Sequence, residues 1–404
     1  MRWAPLLVGA LGLAACPAPS PSSPAVLPTG TTPNAVTVVR CADGPRLLVA
    51  ASAEARLDVL DPDGIAPPRS VFLGAGAAPW DVAVVRHADE APDDVDDDAS
   101  RAVVTLVGSH GVALVRPCGA PALLDTVVDE APLALPDPVT LRQPDDVDGD
   151  GTDDAVATAM TPRSPQAVVV VPGAVPEVIV AFANILDVST GTDAPMLTGP
   201  ALLSRWRLAN AGNDGENDGD ARLVAVDRLV VSGCENPGGL AVAGQGTIAV
   251  ACAGRFVLAE SGHGKASDGA VVTVTVGDVL AEAARQGGPT TPGPIVAHDG
   301  ALVVGDLLDG AVRRLDPVDL AVVGERPGSG GIDSAFSLVV TGDDVLVAGW
   351  FDGRLEHDPF GDPHAVEAPA GPPRGLVDLV DDGARLWGLL TLSAELVVVP
   401  RERP

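Results

Sequence analysis

Tyrosine is absent from the 404-residue chain, lysine occurs once, at Lys265, and aromatic residues make up only 3%. Positive charge is scarce: 25 Lys and Arg stand against 55 Asp and Glu, a formal net charge of -30. Such a surface repels phosphate backbones and anionic headgroups, which excludes nucleic acid as a partner. No uninterrupted apolar run is long enough to cross a bilayer as a helix. The apolar stretch 167–183 is broken by Pro172, Pro176 and Glu177 and reads as two strands. No CxxC and no Cys/His cluster with zinc spacing occurs, and His87, His110, His263, His298, His357 and His364 are scattered as surface residues. A nucleophile elbow, a P-loop and a phosphate-binding glycine loop are missing as well. Helical periodicity is confined to "VLAEAARQ" at 279–286, which reads as a short helical segment.

What remains is 46% apolar, enough for a large core, and it is distributed in short Val/Leu/Ala runs broken by Gly, Asp and Pro. Spacings near ten residues are those of an all-β sandwich, barrel or propeller. The repeats decide among these. "GPIVAHDGALVVGDLLDGAVRRLDP", "AFSLVVTGDDVLVAGWFDGRLEHDP" and "PRGLVDLVDDGARLWGLLTLSAELVVV" share one grammar of strand, Asp/Gly turn, strand, short turn, strand, and "AVTVVRCADGPRLLVAASAEARLDVLDP" repeats it near the other end. The pattern resembles the NHL and YVTN-like repeat propellers of exported bacterial proteins. That resemblance implies a β-propeller of about seven four-stranded antiparallel blades, with eight as the alternative count and 136–232 as the least regular region. The last unit has three strands, so closure would borrow a strand from the segment near Ala35 to Arg40. Trp80, Trp206, Trp350 and Trp387 fall beside strand patterns and are expected in the core.

The first residues have the layout of an export signal: Arg2, then an apolar core from Leu6 to Ala15. Its end, Leu13-Ala14-Ala15-Cys16, resembles the lipobox of bacterial lipoproteins, which implies lipidation of Cys16 and a signal peptide spanning 1–16. By the same analogy Pro17, which is not a retention aspartate, points to the outer membrane. Two or three acyl chains give durable anchoring, since each buried methylene contributes about 0.8 kcal/mol. Residues 17–34 form a Pro/Ser-rich tether, and 35–404 the propeller. The other cysteines, Cys41, Cys118, Cys234 and Cys252, are even in number in an exported chain, which predicts two disulfides. Of the three connectivities, Cys41 to Cys118 with Cys234 to Cys252 is preferred, because Cys234 and Cys252 flank one strand pair.

Acidic residues concentrate at 89–98, 145–154 and 213–220. "PWDVAVVRHADEAPDDVDDDASRAVVTLV" and "PDPVTLRQPDDVDGDGTDDAVATAM" align as the same hairpin loop of successive blades. In the second, Asp146, Asp148, Asp150, Gly151, Thr152 and Asp154 form a D-x-D-x-D-G-x-x-D arrangement that resembles the calcium loops of FG-GAP repeats. Alternate carboxylates on a curled loop converge, glycine permits the turn, the Thr152 carbonyl can face inward and Asp154 closes the shell, a hard-oxygen set suited to Ca²⁺ in a structural role. Ala157 stands at the twelfth position, so this is no EF-hand. The loop with Asp94, Asp96 and Asp98 lacks the turn glycine, and the loop with Asp214, Glu216, Asp218 and Gly219 ends on Arg222. Two functions stay open: a lipid-anchored, monomeric envelope propeller that binds or scaffolds a protein or glycan, or a lactonase- or lyase-type propeller enzyme with a channel metal.

Overall fold

The computed structural model describes residues 26–85, 100–173, 175–187, 197–209, 221–244, 246–259, 262–265, 267–288, 290–328, 334–350, 353–357, 359–360, 364–366 and 375–399. Seven four-stranded antiparallel sheets follow one another along the chain: blade one (33–72), two (79–128), three (165–235), four (237–288), five (292–326), six (335–366) and seven (376–399). The inner strand of each blade packs on the inner strands of both neighbours, and that of blade seven returns to blade one, so the sheets form a closed ring around a channel. No helix occurs among the described residues.

The sequence texture follows from burial. Second strands lie between neighbours on both faces, so Leu47–Ala51, Ala102–Val104, Val178–Phe182 and Ile248–Cys252 are wholly buried and read as unbroken apolar runs. Outer strands have a solvated rim and alternate instead. Leu280–Gly288 is such a strand, the fourth of blade four, paired with Gly269–Val276. The helical segment expected at 279–286 is therefore corrected: the ladder to Gly269–Val276 overrides the helix preference of its Ala and Glu residues.

Blade seven obtains its fourth strand from the other end of the chain. Val26–Pro28 pairs antiparallel with Glu395–Val397, with Val26 opposite Val397 and Pro28 opposite Glu395. The borrowed strand is thus not the segment near Ala35 to Arg40, which lies within Pro33–Cys41, the inner strand of blade one. Leu27 is buried in the cluster joining blades seven and one, with Val36, Leu47, Trp387 and Leu396. Two disulfides staple neighbouring blades. Cys41–Cys118, with a Cα separation of 5.5 Å, joins blades one and two; Cys234–Cys252, at 5.3 Å, joins three and four.

Because strands alternate in direction, the links between blades and the links between second and third strands emerge on one face of the ring. Three additional two-stranded hairpins arise there: Leu133–Asp145 with Asp154–Met160 between blades two and three, Ile185–Asp187 with Leu197–Thr198 in blade three, and Phe256–Ala259 with Gly262–Lys265 in blade four. The 145–154 loop is the tip of the first of these. The alignment of two acidic loops as equivalent is therefore corrected, since the stretch 86–99 joins the first two strands within blade two. Leu27→Ala is expected to cost about 2–4 kcal/mol by opening a cavity at the closure. Chemical denaturation checks this, and a loss below about 0.5 kcal/mol would contradict it.

Candidate functional site

Two sites combine polar groups with a defined scaffold. The first is the 146–153 loop. Its hairpin packs on the outer strand of blade three through Val139 and Val230, around buried Leu135, Val147, Ala157 and Met160. Val147 pins the loop: its carbonyl accepts from the Thr161 N–H (2.9 Å) and hydroxyl (3.1 Å), while the Arg163 guanidinium donates to the Asp146 carbonyl at 2.6 Å. Gly149 and Gly151 have φ of 78° and 88°, a left-handed region that a side chain would strain.

In this loop Asp146, Asp148 and Asp154 each bring a carboxylate oxygen within 4.8 Å of the others. The Asp146 Oδ2 accepts from the Gly151 N–H at 3.0 Å, and Asp154 Oδ2 from the Val147 N–H at 3.3 Å. The Asp146 Oδ1 is buried and has no hydrogen-bond partner, which fits a hard cation among these oxygens. Of the five residues expected as ligands, Asp150 and Thr152 are engaged with each other. Asp150 accepts from the Thr152 hydroxyl and from its N–H at 2.8 Å, and the hydroxyl bond in particular holds the Asp150 carboxyl below its usual range. The other two acidic loops, residues 89–98 and 213–220, lie outside the described residues, as does Cys16.

The second site lies in the channel wall and was not anticipated. Each inner strand bulges at an equivalent point, where the residues are Ala35, Asp81, Ala167, Gly239, Pro294, Ser337 and Asp378 in ring order. The two aspartates clip blades together. Asp81 accepts from the N–H of Val168 in blade three (2.8 Å) and of its neighbour Val82 (2.8 Å). Asp378 accepts from the N–H of Val36 in blade one (2.8 Å), of Leu379 (2.9 Å) and from the Ser337 hydroxyl (3.0 Å). Burial pushes the Asp81 carboxyl up to about 6; burial, with the Asp81 charge adding to it, pushes Asp378 up to about 7. Aligning "PWDVAV" with "LVDLVD" is the signal that would have exposed the pair, since the Asp falls at the same repeat position.

The aromatic expectation needs correction in one place. Trp206 and Trp387 are buried and Trp350 is partly buried, but Trp80 is 42% exposed at the start of an inner strand. His357, expected at the surface, is buried beside Asp344, with its Nδ1 3.1 Å from a carboxylate oxygen.

The ring is similar to solved propellers of varied kind. Virginiamycin B lyase from Staphylococcus aureus aligns with a TM-score of 0.54 at 10% identity, covering 92% of this chain and 97% of the lyase. BBS1N, solved in complex with ARL6DN, aligns at 0.53 and 14% identity over 95% of each chain. The WD40 β-propeller domain of Doa1 aligns at 0.52 and 10% identity, over 94% and 96%. At these identities the likeness establishes the fold alone. No protein-family profile and no curated protein sequence matches the chain.

The raised carboxyls have a sign. A group that holds its proton more tightly folded than unfolded costs stability as pH rises from the unfolded value, 3.8, through the folded one, about 7 for Asp378. Asp378→Asn removes that cost. Its melting temperature, relative to the unsubstituted protein, should move in its favour by a few degrees between pH 5 and pH 8. A difference independent of pH in thermal unfolding would contradict the assignment.

Proposed function

We propose that the protein is a lipid-anchored propeller of the cell envelope that binds or scaffolds a partner, with one Ca²⁺ stabilising the hairpin between blades two and three. The observation that carries this reading is the path of the chain at the closure. Val26 enters the outer strand of blade seven from the face opposite the three hairpins and runs toward them before Pro33 opens blade one. Residues 17–25 alone separate the lipobox cysteine from that strand, a reach of at most about 30 Å. An acyl group on Cys16 would thus hold the ring close to the lipid with its hairpin face outward. A display surface facing away from its anchor suits binding better than chemistry performed on the lipid.

Calcium at Asp146, Asp148 and Asp154 is supported by their convergence and by the orphaned Asp146 oxygen. The cation would supply charge neutralisation and fix the loop on blade three; it has no role in a reaction here. The enzymatic alternative requires several channel groups free to act. Asp81 and Asp378 each hold backbone N–H groups of the next blade, which supports a role in fixing the channel wall and leaves acceptor capacity for a ligand's donor.

Two experiments test this reading. Palmitate labelling in the producing cell should mark the protein, and Cys16→Ser should abolish the label and release the chain from the membrane fraction; an unlabelled, soluble parent protein overturns the anchor. Calorimetric titration with Ca²⁺ should show one site, weakened at least tenfold by Asp148→Asn. Absence of heat at millimolar Ca²⁺ overturns the metal.

A further inference from the structure

The channel mouth on the hairpin face combines three properties that the fold itself does not require. First, it exposes aromatic surface in a chain that has little. Trp80 and Phe336 start the inner strands of blades two and six, on opposite sides of the channel, and are 42% and 37% exposed. Phe336 packs against Trp350 with ring centroids 4.8 Å apart and planes tilted by 40°. Leu392, 70% exposed in the blade seven turn, converges on the same point. A Cβ placed on Gly375 would sit 3.2 Å from both the Leu392 side chain and the Trp350 ring. Solvated aromatics at a pore rim carry an energetic penalty that a partner would relieve.

Second, Asp81 follows Trp80 and Ser337 follows Phe336 in the ring of bulges, and Asp378 accepts from the Ser337 hydroxyl, so polar groups adjoin the apolar rim. Third, the two carboxylates lack a counter-charge. Among the described residues, the groups acting on them are backbone N–H groups, the Ser337 hydroxyl and, for Asp378, Asp81 itself. A cation brought beside carboxyls whose surroundings favour the proton would favour their charged form. Here the missing partner is a cation, and the chain, at net -30, supplies few.

We propose that this mouth captures a partner segment in which a lysine or arginine is flanked by apolar side chains. The cation would enter toward Asp81 and Asp378 while its flanks rest on Trp80 and on the Phe336, Trp350 and Leu392 surface. The proposal rests on the reading of the protein as a binding module and gives that module a ligand chemistry. Aromatic faces and carboxylates both favour a cation, the first through the ring quadrupole and the second through direct charge pairing. An arginine, planar and weakly hydrated, is the better fit to both. This face lies opposite the entry of Val26, so it is accessible whether or not Cys16 carries lipid.

The test uses the full chain in detergent and two labelled peptides, acetyl-Leu-Phe-Arg-Phe-Leu-amide and its counterpart with Gln in place of Arg, in fluorescence anisotropy titrations. The Arg peptide should bind at least tenfold more tightly than the Gln peptide. Asp81→Asn with Asp378→Asn should remove that preference. Trp80→Ala and Phe336→Ala should each weaken both peptides several-fold. A control with two carboxylates removed from elsewhere, Asp43→Asn with Glu325→Gln, should bind within twofold of the parent.

Equal affinity for the two peptides, no binding of either, or an equal loss in the control would each overturn the proposal, the last by reducing it to bulk charge. Should the double Asn variant fail to fold, the exposed Trp80→Ala and Phe336→Ala variants decide the matter, since neither side chain belongs to the core. Palmitate labelling of Cys16 is read separately, so loss of the anchor and loss of the peptide site are distinguishable.

Discussion

The structure depends on the antiparallel pairing of Val26–Pro28 with Glu395–Val397. Every blade has two apolar faces and relies on a neighbour for each, so a ring stabilises its members only when closed. The borrowed strand completes blade seven and brings Leu27 into the cluster shared with blade one. Without it the third strand of blade seven would present an unpaired edge. Closure by chain ends from opposite termini also makes the ring one cooperative unit, because opening it separates segments nearly the whole sequence apart.

The same closure organises what lies on the two faces. The chain enters from one side and the added hairpins leave from the other, so the candidate metal loop and the channel mouth share a face opposite the entry of the chain. The two disulfides divide along the same axis. Cys41–Cys118 closes the entry side of blades one and two, whereas Cys234–Cys252 lies on the hairpin side of blades three and four. Together with Asp81 and Asp378, which bridge blades two to three and seven to one, they fix neighbours by bonds other than apolar packing. A rigid rim is what a recognition surface needs, since little order remains to be imposed on binding.

The blade count was legible because a second strand buried on both faces must be apolar throughout, and runs such as "LLVAA", "AVVTL" and "VIVAF" occur once per blade. The closing strand was not. Val26 and Leu27 sit among prolines and serines with no periodicity around them, and only the missing fourth strand of the last unit signalled the loan. Leu280–Gly288 misled through local preference, because an outer strand needs no continuous apolar run and "AEAAR" suits a helix better than a sheet. In the 146–154 loop the converging trio Asp146, Asp148 and Asp154 follows from spacing alone. That Asp150 turns to Thr152 depends on a local hydrogen bond that spacing does not encode. The channel aspartates were hidden because bulge positions become equivalent only once the strands are in register.

The central claim is that Val26–Pro28 is the fourth strand of blade seven. Amide hydrogen exchange of the third strand of that blade, Glu395–Val399, tests it most directly, compared between the full chain and a chain lacking residues 1–28. Protection of the Leu396 amide, which faces Leu27, in the full chain, lost on truncation while Val397, which faces Gly388, and the strands of blade four stay protected, is the predicted result. Equal protection of the Leu396 amide in both chains would contradict the account.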